Sequence, residues 1–454
     1  MLTKDESSQL AKKVMGFSTF ADCQVTVTSV EPAYTRFANN GITASAFSLR
    51  QDVSIAVTRD GRTGVYAVND LDDSSLRVAV KKAEEFAAIA PPNPEHLDPV
   101  GAQKFPELPA FDERTAKARA PEMIPHVKTV IDEAVKRKLV AAGLIERTHR
   151  VSAITNKAGL VGAEETADSQ MTTTVRSQDG GSSGWAGQPS ARFSEIDSVV
   201  LATVASEKCA RWKNPRKIDP GNYTVVLEPT AAGDIVRLIA SGFSGRNTDE
   251  GRTFLSKRGG GNLLGEKLFP EYISLRSNPM DWRQPTAAWT GDLLPTRPID
   301  WIQKGVVSNL SYDRYWASKT GKQPTPGLGG GGGGGGFGGG GASLELEGSD
   351  ATLDSLIASV ERGLLITHFW YIRAVSQKTL QQTGLTRDGV FLIEKGKITD
   401  PVMNLRFLES PVRLLQNTVK LGQAKRVRGI EGGLMIAPSL VATDFPLPSI
   451  SDAV

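Results

Sequence analysis

The chain has 454 residues, enough for two or three domains, with 39% hydrophobic and 23% charged residues and a formal net charge of +3. A nearly balanced charge without a run of five basic residues argues against a nucleic-acid surface. Without 18 consecutive apolar residues no membrane span is expected, and MLTKDESSQLAKKV lacks the apolar core of a signal peptide, so the expected location is the cytoplasm.

In chain order, residues 4–16 read as a helix. Strands are predicted at 22–30, 34–40, 42–49, 53–59 and 63–69, because polar and apolar residues alternate as in half-buried antiparallel strands. Asn39-Asn40-Gly41 and Asp60-Gly61 are hairpin turns, since these residue types tolerate positive φ. Residues 71–90 form a helix that starts near Asp72 or Asp73. A Pro-rich connector follows from 90 to about 111, then a helical stretch over 113–140 broken near Pro121 and Pro125.

The first pattern then recurs. Asn156 to Gly159 and Asp179-Gly180 echo the two earlier turns at a similar spacing, and a helix at 194–212 closes the second copy. Two related units, 1–110 and 111–220, are expected within an N-terminal domain of 1–220; chance similarity of two β-rich stretches is the alternative. Residues 213–229 mark a boundary, and 221–454 form a C-terminal domain. That domain opens with VVLEPTAAGDIVRLIASGFSGR (225–246), a strand and turn with a helix from about Gly233. On it, Asp234, Arg237 and Ser241 form a polar stripe, with Asp234 near the helix N-terminus and placed to pair with Arg237.

The glycine tract at 327–341 fails as a phosphate cradle, because neither Lys-Ser nor Lys-Thr follows it; it reads as a mobile insertion. A helix is expected at 349–363, capped by Ser349 or Asp350 and ended by Gly363, then a strand at 364–373. An Asp388-Gly389 turn leads into VFLIEKGK, with Lys395-Gly396 at the far end of that hairpin. KRVRG (425–429), the densest basic spot, reads as a solvated loop. The fold class expected is α+β: antiparallel sheets with helices, then a mostly β domain whose helices help form a substrate cleft.

Local catalytic motifs are absent. His96, His126, His149 and His368 are isolated from one another, and His126 and His149 fall on or near the long helical stretch. GFSGR (242–246) lacks the G-x-S-x-G spacing, and no strand is followed by G-x-G-x-x-G. Cys23 and Cys209 have no partner at metal-ligand spacing and read as free, partly buried thiols, with a disulfide left open. His368 is either a satisfied core histidine or a residue of a cleft, with Tyr371 on the same strand. Arg387 and Asp388 are either turn residues or part of that site.

GLTRDGVFLIEKGKITDPVMNLRF (383–406), with ERGLLIT (361–367) and NNGITAS (39–45), resembles the TldD/PmbA (TldE) family, long labelled "modulator of DNA gyrase". The resemblance implies a cytoplasmic peptidase of paired subunits that acts on unfolded or modified peptides. It further implies that the TldD branch binds zinc through His-Glu-x-x-x-His on a helix and a downstream Cys, with the Glu as general base for a zinc-activated water. The TldE/PmbA branch lacks these ligands. Here Arg237 stands at the first His position, Leu238 at the Glu and Gly242 at the second His, and nothing after Cys209 is Cys.

The expected function is therefore that of a non-catalytic subunit, a pseudoenzyme without its own cofactor. Its partner is a TldD-like zinc subunit in a heterodimer, or itself in a homodimer, and its substrate an extended peptide; neither nucleic acid nor membrane is expected. His368, Tyr371, Arg387 and Asp388 are the candidate cleft or partner contacts. The alternatives are a stand-alone peptidase of another mechanism and a non-enzymatic peptide- or protein-binding protein.

Overall fold

The computed structural model describes residues 1–325, 343–429 and 433–451; the glycine tract lies outside them. The chain is α+β, and its described strands form two sheets. The first holds β1 (Asp22–Ala38), β2 (Gly41–Phe47), β3 (Arg50–Arg59), β4 (Arg62–Val68), β5 (Leu139–Asn156), β6 (Val161–Ser177) and β7 (Ser183–Ser190). Their order is β4-β3-β1-β5-β6-β7, with β2 on β1 and all pairings antiparallel.

Period-two burial gives this sheet one covered face and one open face. Val25, Val27, Val53 and Ile55 pack under α1 (Lys4–Met15) and α2 (Asp73–Ile89). After the short α3 (Glu113–Lys117), α4 (Ala120–Lys136) and α5 (Ser198–Arg211) cover Ala141, Ile145, Met171 and Val175. Element order is similar on both sides of the central β1–β5 pair: helix, strands, helix. The opposite face, with Tyr34, Arg36, Leu144 and Glu146, is left for the second half of the chain to approach.

The second sheet holds β8 (Gly221–Leu227), β9 (Leu275–Ser277), β10 (Ile299–Gln303), β11 (Val306–Val307), β12 (Leu344–Leu346) and β13 (Arg362–Ser376). It continues with β14 (Gln381–Glu394), β15 (Lys397–Pro401), β16 (Leu405–Glu409), β17 (Thr418–Arg428), β18 (Leu434–Leu447) and β19 (Ser449–Ile450). The order is β11-β10-β9-β12-β18-β8-β13-β14-β16-β19, with β15 on β14 and β17 on β18. At its centre β8 is parallel to β13 and antiparallel to β18. Val225, Val226 and Leu227 have no exposed surface because both faces of β8 are covered.

Several expectations change. The strands expected at 22–30 and 34–40 are one strand, β1; on one edge it pairs with β3 through Val30 and with β2 from Ala33, and Pro32 falls in the gap. Pro121 sits in the first turn of α4, where a missing N–H costs nothing, and Pro125 is carried inside the helix. His149 lies on β5 rather than a helix, bonded at 2.8 Å to Glu165. The helix expected at 349–363 is only Leu353–Ala358, capped by the Thr352 hydroxyl. Gly363 does not end it but lies in β13, where a Cβ would meet the Thr224 carbonyl at 2.5 Å. Asp388 and Gly389 do not turn the chain. They have φ of 51° and 138° and form a bulge, since Ile366 pairs with Val390 and His368 with Arg387. Lys395-Gly396 is the hairpin turn, at φ of 51° and 73°. Finally, 425–428 is strand, not loop.

Candidate functional site

The two sheets meet along a polar seam, and the sequence-predicted residues His368, Arg387 and Asp388 lie together on it. His368 has no exposed surface; β13 presents it beside Trp185 of β7, with ring centroids 4.8 Å apart. The bulge turns Asp388 inward, placing its Oδ2 3.4 Å from His368 Nε2 and 3.6 Å from Arg387 Nε. The Arg387 guanidinium lies over the Trp370 ring at 4.6 Å. Among the described residues, neither imidazole nitrogen of His368 makes a hydrogen bond, nor does Asp388 Oδ1. Burial drives the imidazole down to about 4, against the pull of Asp388, so the ring is neutral at physiological pH.

Lys208 of α5 crosses the seam to Glu228, the residue before the next helix, at 2.7 Å, and donates to the Trp185 carbonyl at 3.3 Å. Both side chains of that ion pair are largely buried. Tyr371 is not part of the cluster: it is 53% exposed, with φ of 56°, and Arg373 lies over its ring at 4.1 Å. An imidazole sealed beneath an indole cannot touch a substrate in this arrangement.

The segment expected to correspond to the zinc helix is built differently from its sequence reading. α6 (Pro229–Val236) begins at Pro229, four residues before Gly233, with Pro in the first turn where it is tolerated. From Arg237 to Phe243 the chain tightens into a 3₁₀ helix. Asp234 is therefore an interior residue, 2% exposed, rather than a residue of the helix N-terminus. The carboxylate lies so close to Gly429 that a Cβ there would collide with it. Ser241 hydrogen-bonds the Leu238 carbonyl, and the change of helical period takes it off the stripe.

The donor set along 228–250 does not fit zinc. It contains no His and no Cys, and Arg237, Leu238 and Gly242 offer a guanidinium, an alkyl group and no side chain. Of its four carboxylates, Asp234 is buried against Gly429, Glu228 is held by Lys208, Asp249 accepts from Asn262 at 3.1 Å and Trp316 at 2.8 Å, and Glu250 pairs with Arg246 and Arg252.

The basic stretch 425–429 is the residue group that sequence reasoning placed wrongly. Arg426 and Arg428 point from β17 onto the first sheet, where both bind Asp168 of β6. Basic residues at alternate positions of a strand were the available signal, because they share one face. No group of three or more His, Cys, Asp or Glu residues able to hold a metal occurs among the described residues. No described helix is long and apolar enough to cross a membrane.

A family model, the PmbA/TldA metallopeptidase C-terminal domain, matches residues 220–447. No curated protein matches the sequence. Among solved structures, TldE from Thermococcus kodakarensis aligns at a TM-score of 0.83 and 18% identity, over 98% of this chain and 99% of that one. A candidate modulator of DNA gyrase from Bacteroides thetaiotaomicron aligns at 0.83 and 21% identity, over 99% and 100%. A candidate modulator of a DNA gyrase from Thermotoga maritima aligns at 0.83 and 17% identity, over 96% and 99%. At these identities the likeness is one of fold. Because the family model spans half of the chain, the protein belongs to the PmbA/TldD family of metallopeptidase-related proteins.

Proposed function

We propose that this chain is the non-catalytic, TldE/PmbA-like half of a cytoplasmic two-subunit peptidase. It completes the substrate chamber of a zinc-bearing, TldD-like partner and takes unfolded or modified peptides in extended form. The observation that carries the reading is the donor chemistry of 228–250. A zinc hydrolase needs imidazole, thiolate or free carboxylate ligands and a general base there. This segment has no His or Cys, no His occurs between His149 and His368, and no Cys follows Cys209. Likeness in fold to the structure named TldE supports the same assignment. The buried seam around His368 and Asp388 serves here as the rigid support of the chamber wall.

The experiment is to purify the chain alone and with a TldD-like partner, then measure metal content and hydrolysis of an unstructured peptide. The lone chain is expected to bind no stoichiometric zinc and to be inactive, and the pair to be active. Stoichiometric zinc with activity in the lone chain would refute the reading.

A further inference from the structure

We propose that the free edge of β2 is a self-association surface, where two copies of this chain join their first sheets by antiparallel pairing of β2 with β2. Among the described residues β2 pairs with β1 along one edge and with no strand along the other. Beyond it β3 continues on the same edge of β1 and is itself covered by β4 from Val53 onward. Backbone N–H and C=O groups along Gly41–Phe47 are thus left facing outward, as on any open edge. The side chains there are apolar as well as open: Ile42 is 42%, Phe47 63% and Leu49 44% exposed.

Charge, or its lack, identifies the occupant. Edge strands that face only water ordinarily carry charged side chains, lysine above all, which keep other strands from adding on. From Phe37 to Leu49 the sequence FANNGITASAFSL has no ionisable residue, and the nearest charges on either side are Arg36 and Arg50. The edge has one irregularity, a bulge at Thr43, which is passed over between the Arg36–Ala44 and Phe37–Ile42 pairs. A strand closed by its own copy must be neutral, because a two-fold axis brings each charge near its like. A foreign strand would be selected by charges opposite to its own, and this edge offers none.

Pairing about the middle residue of β2, Ala44, also matches the side chains. Ala44 then faces Ala44 of the second copy, Thr43 faces Ser45, Ile42 faces Ala46 and Gly41 faces Phe47. Thr–Ser hydroxyl pairs and an aromatic ring over a glycine are favourable cross-strand neighbours. Ala44 lies beside Tyr34 and Arg36 on the open face of the sheet. α4 covers the other face, where the Thr35 hydroxyl touches Met123. The inference is independent of the function proposed above, since it concerns how two copies meet and assigns neither metal nor peptide.

Sedimentation equilibrium of the full chain alone, over a range of concentrations, tests the pairing. The chain is expected to dimerise. Ala44→Glu, which sets two carboxylates opposite each other, should weaken the dimer at least about tenfold and leave the circular dichroism spectrum unchanged. Disulfide trapping then reads the register. Ala44→Cys places two thiols on directly opposed residues, whose Cα atoms lie about 4.5–5.5 Å apart, within reach of a disulfide. Ile42→Cys places them four residues of strand apart, about 14 Å, beyond that reach. Mild oxidation should link the first variant and not the second, and the buried Cys23 and Cys209 give no background. A monomer at every concentration, including one that associates only with another protein, overturns the inference. A dimer that Ala44→Glu leaves intact, or that cross-links equally at both positions or at neither, overturns it as well.

Discussion

Replacing Glu164 by Gln should flatten the dependence of stability on pH. Glu164 lies on β6, opposite Ser152 of β5, and accepts the Ala288 N–H at 2.6 Å where the second half of the chain crosses the first sheet. Burial raises its carboxyl to about 7, while the Ala288 bond and Arg150 pull it down. The folded state therefore holds this proton until about pH 7, whereas the unfolded chain releases it from about 4.5. Between those values unfolding releases a proton, so stability falls as pH rises, then levels off above 7. Holding the proton from about 4.5 up to about 7 corresponds to about 3 kcal/mol across the window. The amide of Gln keeps an acceptor for Ala288 and carries no titrating proton. Urea unfolding of the wild type and of Glu164→Gln at pH 5 and pH 8 provides the comparison. The wild type should lose about 2.5 kcal/mol more than the variant between these two conditions, because the unfolded carboxyl is already partly ionised at pH 5. Equal pH slopes in the two proteins would refute the argument.

Other consequences are open to direct measurement. His368, driven to about 4, should show ring resonances that do not titrate between pH 5.5 and 8; since the unfolded imidazole takes up a proton near 6.5, this residue makes stability fall as pH drops from there toward 4. A midpoint above 6 in the NMR titration would contradict its burial. Lys208→Ala should destabilise by about 3 kcal/mol, because Glu228 is left largely buried and unpaired, and Lys208→Met with Glu228→Leu should recover most of that in thermal melts. Gly363→Ala should lower stability by about 1–3 kcal/mol by pushing β13 from the Thr224 carbonyl, and an unchanged melting temperature would show that β8 can yield.

What the sequence disclosed was local. Asn39-Asn40, Asp60-Gly61 and Lys395-Gly396 all turn the chain, because a hairpin turn is set by a few adjacent residues and their tolerance of positive φ. Asp388-Gly389 has the same local chemistry but makes a bulge, since β13 continues past it and β16 pairs beyond it; the distinction lies in partners elsewhere in the chain. The helix at 225–246 was misplaced by four residues because Pro229, read there as part of a turn, is also a good first-turn residue. The seam was the least legible part. Nothing near Arg426 indicates Asp168, 258 residues away, and nothing near His368 indicates the indole of Trp185. The lack of His and Cys along 228–250, by contrast, is read directly, since missing residue types require no geometry.

The position of β8 bears on how the chain is made. It lies at the centre of the second sheet, yet its partners are β13 and β18, and β18 begins at Leu434. During synthesis at roughly 5–20 residues per second, β8 therefore waits on the order of ten seconds with both edges unpaired, and longer with one edge open, its three core residues exposed. In the first sheet β1 is less exposed, because β2 and β3 follow it directly and pair along one edge before β5 emerges to cover the other. A ribosome that stalls late would thus release a folded first half joined to a sticky strand. Truncation that removes β18 should leave this protein in aggregates.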